Sequence, residues 1–214
     1  NINFENCEIE VGSSNAGAGL IAGKAIDAEL TNINAKGTVI SSMSAATGSG
    51  KHLGGLVGIS TNTKFENINL EVDITDGNGD GVVTRMVGGM VGVVVPEMSD
   101  DDNVIKAFTD KNTNHSTFNN CHVTGSAAAY HYSGGFIGAI SVENTEITNC
   151  SADVDMNFTA GGNYAGGFIG YANKGLTVTD SHASGDINNV GNYKGGFIGA
   201  MQGQATIKRC YHEG

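Results

Sequence analysis

The chain has 214 residues, enough for one sizeable domain or one repeat array. Its 33 glycines accompany one proline, no tryptophan and 39% hydrophobic residues, which excludes a collagen triple helix, whose period is missing, and a disordered chain. With 22 acidic residues against 11 basic the net charge is −11, which argues against nucleic acid or an anionic membrane surface as partner, and no long apolar run is present to insert into a bilayer.

No signal peptide opens the chain at Asn1, so the sequence reads as a mature fragment or an excised piece of something longer. Two signatures alternate from there on. The first is Phe4-Glu5-Asn6-Cys7. It returns as Leu30-Thr31-Asn32-Ile33, Phe65-Glu66-Asn67-Ile68, Phe118-Asn119-Asn120-Cys121, Ile147-Thr148-Asn149-Cys150 and Val178-Thr179-Asp180-Ser181, and begins again at Ile207-Lys208-Arg209-Cys210, where the chain stops inside a repeat. The second starts weakly as Ala18-Gly19-Leu20-Ile21-Ala22. It returns as Gly54-Gly55-Leu56-Val57-Gly58, Gly88-Gly89-Met90-Val91-Gly92, Gly134-Gly135-Phe136-Ile137-Gly138, Gly166-Gly167-Phe168-Ile169-Gly170 and Gly195-Gly196-Phe197-Ile198-Gly199. Between them lie short runs of period-two alternation, such as Ala152-Asp153-Val154-Asp155-Met156, punctuated by glycine and asparagine, and no helical period.

A unit of about thirty residues cannot bury its own apolar face, so neighbouring copies must stack. The fold expected is all-β: a right-handed parallel β-helix, or β-solenoid, of about six coils over residues 1–214, with excursions at about 75–86 and 94–116. Stacking assigns roles to single positions. Asn6, Asn32, Asn67, Asn120 and Asn149 form an asparagine ladder in a left-handed turn, which Asp180 and Arg209 break at its end. Cys7, Cys121, Cys150 and Cys210 share the next position with Ile33, Ile68 and Ser181, as small buried side chains do; a Cys121–Cys150 disulfide is the alternative to free thiols. The Gly-Gly pair marks a bend where a side chain would clash.

The glycine signature resembles the GLUG motif, which Gly55-Leu56-Val57-Gly58 matches letter for letter and five of the six copies fit. That motif occurs in arrays within large bacterial surface proteins, among them adhesins and regions flanking the peptidase domain of immunoglobulin A peptidases. The resemblance covers nearly the whole chain. It implies bacterial surface display or secretion, and little chemistry, because the motif is a structural one.

Three features depart from the plain repeat. In the first excursion Asp76-x-Asn78-x-Asp80-Gly81 matches the first half of an EF-hand loop, so Asp76, Asn78, Asp80 and the Val82 carbonyl are candidate ligands for a structural Ca²⁺. The twelfth position is Val87 rather than an acid, and the other reading is a polar turn. The second excursion carries Asp100-Asp101-Asp102 and a short helix expected after Ser99, with Val104, Ile105 and Phe108 on one face; it is a candidate contact surface. Tyr132, Tyr164 and Tyr193 each stand two residues before a Gly-Gly pair, where the second copy has His52. Facing outward they make a platform for a sugar ring or a partner's apolar patch; facing inward they are core. Counting by twos puts them on the side of the following Phe, although the glycine bend intervenes.

For function, the reading is a non-catalytic, extracellular stalk or binding module of an adhesin-type protein. Its partner would be a host-cell or matrix protein, a glycan, or further copies of itself end to end. The alternatives are a self-assembling fibre subunit and a carbohydrate-active β-helix enzyme or peptidase-flanking segment. Against an enzyme, arginine occurs only at Arg85 and Arg209, acids are scattered, and His212-Glu213 starts a zinc-protease pattern without completing it.

Overall fold

The computed structural model describes residues 2–12, 17–42, 52–76, 86–96, 115–129, 131–158, 163–188 and 192–214. Among them the protein is all-β, a parallel β-solenoid of about five turns. Its strands form three sheets that run the length of the stack: a long wall of eleven strands and two narrower sheets of six each. Each strand pairs in parallel with its equivalent one coil away, as in Glu29–Ser41 on Lys64–Asp76, Tyr132–Gly134 on Tyr164–Gly166 and Ile137–Ile140 on Ile169–Ala172. Most of the two expected excursions, at 77–85 and 97–114, and the helix expected after Ser99 lie outside the described residues.

The period-two alternation becomes the two faces of the wall. In Ser151–Phe158, Ala152, Val154, Met156 and Phe158 are buried while Asp153, Asp155 and Asn157 are exposed. Two of the outward carboxylates bond a serine of the next coil. Ser126 donates to Asp73 at 2.7 Å, and Ser184 donates to Asp153 at 2.9 Å. Like charges placed directly opposite across a sheet would destabilise it.

One left-handed residue bends the wall in each coil. Asn32, Asn67, Asn120 and Asn149 have φ between 53° and 56°, a conformation that asparagine tolerates better than other side-chain-bearing residues. Their amides form the ladder: Asn67 donates to Asn32 at 3.2 Å, Asn120 to Asn67 at 2.8 Å and Asn149 to Asn120 at 3.0 Å. Each such bond contributes on the order of 0.5–1.5 kcal/mol.

At the two ends of the ladder three positions depart from plain asparagine stacking. The amide ladder ends at Asn149, as expected, but Asp180 and Arg209 keep the bend, with φ of 53° and 52°, and are linked by an ion pair, Arg209 Nε and Nη2 donating to the two carboxylate oxygens at 2.5 and 2.6 Å. That pair holds Asp180 below the usual carboxylate range and raises Arg209. Asn6, in contrast, lies off the ladder. It has φ 56°, but the first coil pairs Phe4 with Ala35 and Cys7 with Gly37, so Glu5 and Asn6 form a bulge opposite Lys36 instead of stacking on Asn32.

The residue after the bend points inward. The Cys121 thiol donates to the Asn119 carbonyl at 3.4 Å, Cys150 to Thr148 at 3.2 Å and Cys210 to Lys208 at 3.3 Å, and the Ser181 hydroxyl makes the same bond to Thr179 at 2.8 Å. This shared bond explains why cysteine and serine exchange here, while Ile33 and Ile68 fill the site by volume alone. All four cysteines are free thiols. Burial pushes the Cys150 thiol well above its ordinary value, which suppresses the reactive thiolate.

The core is built of aromatic columns. Phe65 stacks on Phe118 at 4.6 Å, and Phe136, Phe168 and Phe197 stack in turn at 4.7 and 4.8 Å. The edge of Phe118 meets the face of Phe136 at 5.5 Å, which ties the long wall to the glycine corner. At that corner the two narrow sheets approach backbone to backbone. A Cβ on Gly134 would lie 2.3 Å from the Ile137 oxygen, so the Gly-Gly bend is a requirement of space. In the first coil the corner is Gly19–Gly23, one residue later than the motif alignment placed it, since Ala18 pairs with Leu53 and Ala22 with Val57.

Candidate functional site

A concave feature among the described residues runs along the outer face of the long wall. Two residues beyond each bend the side chain points out. In-register stacking brings Asn3, Asn34, Asn69 and His122 into one column. The amides link head to tail, Asn34 donating to Asn3 at 3.1 Å and Asn69 to Asn34 at 3.0 Å. The column then changes chemistry: the His122 Nδ1 and Ser151 hydroxyl lie 2.8 Å apart, and His182 stacks on Tyr211 at 4.9 Å. The His122 Nε2 lies 3.2 Å from the Asn120 side-chain oxygen. Burial, then the nearby His182, lowers the His122 pKa, so the ring is neutral near pH 7.

The neighbouring outward column holds Lys36, Glu71 and Thr124. Lys36 and Glu71 form an ion pair at 2.6 Å, with both side chains more than half exposed, and Glu71 raises the lysine pKa. The two columns line a groove of about 580 Å³, closed at one end by the bulged first coil with Phe4, Glu5 and Asn6. That volume lies within the range of ligand clefts. Aligning Asn6 with Asn32 would place Glu8 on Asn34, which hides the groove from a reading of the repeat; the slipped register brings Asn3 there instead. The legible signal was the amide shared by Asn34 and Asn69 at one repeat position.

Tyr132, Tyr164 and Tyr193 do form a column, with ring centroids 4.8 and 5.0 Å apart and planes within 10° of parallel. They do not join the phenylalanine core. Tyr132 packs with Tyr171 against a second, smaller cluster that includes Ile59, Met86 and Val93, on the other side of the narrow sheets. Between Tyr132 and Tyr193 the rings cover one another's faces, so the interior of the column offers edges rather than open faces to a sugar. Beside it, His131 and Asn163 lie in contact at 3.2 Å, and Asn192 donates to Asn163 at 2.8 Å.

The proposed calcium ligands Asn78, Asp80 and Val82 lie outside the described residues, as does the side chain of Asp76; Arg85 and Asp100-Asp101-Asp102 lie outside them too. Among the described residues no three His, Cys, Asp or Glu side chains converge to hold a metal ion. His212 occupies an inward position over Ala183, near Gly167 and Gly196, which is a packing position in the repeat. No helix among the described residues is long and apolar enough to cross a membrane. No family model, curated protein or solved structure matches the chain.

Proposed function

We propose that the protein is a non-catalytic, surface-exposed or secreted β-solenoid, the stalk or binding module of an adhesin-type protein. One observation carries this reading: the stack is continuous from the first coil to the last. Aromatic columns inside, the amide ladder at the bend and the serine–carboxylate bonds outside all run along the same axis. Every coil adds ~4.8 Å of length, so the architecture makes a stiff spacer with a periodic outer surface. The acidic balance, with a net charge of −11, and the likeness of the glycine corner to the GLUG motif point the same way.

The test is surface proteolysis of intact cells that make the protein. Brief protease treatment, followed by mass spectrometry of the released peptides, should yield fragments of this chain while cytoplasmic marker proteins stay intact. Release only after the cells are broken would overturn the surface assignment.

A further inference from the structure

We propose that the groove on the long wall binds an extended, uncharged glycan whose chain lies along the solenoid axis. This deepens the reading of the protein as a non-catalytic binding module and rests on it. Asn3, Asn34 and Asn69 repeat once per coil, at ~4.8 Å, and His122 continues the column. A hexopyranose unit in an extended chain has nearly that length, so successive sugars meet successive amides in the same way. An extended peptide does not match: it advances about 3.3 Å per residue, and its same-side groups recur at about 6.6 Å. A peptide also cannot add as a strand across the groove's face, because Glu29–Ser41 and Lys64–Asp76, which carry Asn34 and Asn69, are already paired with the coils on either side.

Hydrogen-bonding capacity points to the same ligand. Each carboxamide has two N–H donors and an oxygen with two lone pairs. The link from Asn34 to Asn3 and the link from Asn69 to Asn34 each use one donor and one acceptor site. Donors and acceptors therefore stay available side by side, as pairs of sugar hydroxyls require. Charge selects against ionic ligands. The Lys36 ammonium is committed to Glu71, and Glu5 adds a carboxylate at the bulged end, so an anionic polymer gains no free cation there and meets negative charge. The aliphatic stem of Lys36 and the methyl of Thr124, both in the lining, supply apolar surface for sugar C–H groups.

The experiment uses the whole chain, labelled with ¹⁵N, titrated with cellohexaose, mannohexaose and hexa-N-acetylchitohexaose, and separately with an anionic galacturonic acid hexamer. At least one neutral hexasaccharide should shift the Asn34 and Asn69 side-chain amide signals, and its disaccharide should bind at least about tenfold more weakly. The double variant Asn34→Ala/Asn69→Ala removes outward amides while leaving the core untouched. Its circular dichroism should match the parent, and its affinity should fall by at least about tenfold. Ser184→Ala, further along the same wall, should bind like the parent. Absence of binding by all three neutral sugars, tighter binding of the anionic hexamer, or unchanged affinity in the double variant would overturn the groove assignment. Binding accompanied by new reducing ends would leave the groove standing and overturn the non-catalytic reading instead.

Discussion

Phe168→Asp should abolish cooperative folding of the central coils. Phe168 is completely buried and is clasped between Phe136 and Phe197 at 4.7 and 4.8 Å. An aspartate there would place a carboxylate between two aromatic faces, and an unpaired buried charge costs far more than the margin by which a domain is stable. Phe168→Ala keeps the polarity and leaves a cavity. It should cost about 3–5 kcal/mol, because the neighbouring rings are held by their own coils and cannot collapse into the space. Urea unfolding followed by circular dichroism reads both variants. A soluble Phe168→Asp protein with a single sharp transition near that of the parent would remove this column from the core.

The second large effect belongs to a residue with no side chain. Gly134→Ala should destabilise the protein by about 3 kcal/mol or more, at the upper end of what overpacking costs. The new Cβ would sit 2.3 Å from the Ile137 oxygen, 2.6 Å from the Gly170 nitrogen and 2.7 Å from the Phe168 oxygen. All three are backbone atoms, and two belong to the following coil, so relief requires two coils to part. Gly175→Ala is the control. Its Cβ would come no closer than 3.6 Å to the Gln204 oxygen, and its cost should stay within about 0.5 kcal/mol. Equal stability of the two variants would mean that the narrow sheets do not pack backbone to backbone at the corner.

The architecture was legible because two positional demands repeat in plain sight. The bend needs a left-handed residue, which the sequence meets with asparagine at 32, 67, 120 and 149. The corner needs glycine, which appears in pairs before Phe136, Phe168 and Phe197. What pattern matching missed depends on register and on direction through the corner. The first coil slips so that Asn3, and not Glu8, meets Asn34, and the groove follows from that slip. Tyr132 and Phe136 are four residues apart, so counting by twos puts them on one side; the turn at Gly134-Gly135 sends them to different clusters. Asp180 and Arg209 end the asparagine ladder, as their chemistry implies, but the continuation of the bend through them was not legible. Together they satisfy the same bend, the ion pair replacing the amide bond between coils.

The central claim is that each coil pairs in parallel with the next. Scalar couplings across hydrogen bonds in a deuterated, ¹⁵N,¹³C-labelled sample test it most directly. The account predicts couplings from the Met90 amide to the Phe136 carbonyl, from Phe136 to Phe168 and from Phe168 to Phe197, the three bonds of 2.9 Å that link successive corners. Couplings between residues of a single coil, as antiparallel hairpins would give, would contradict it.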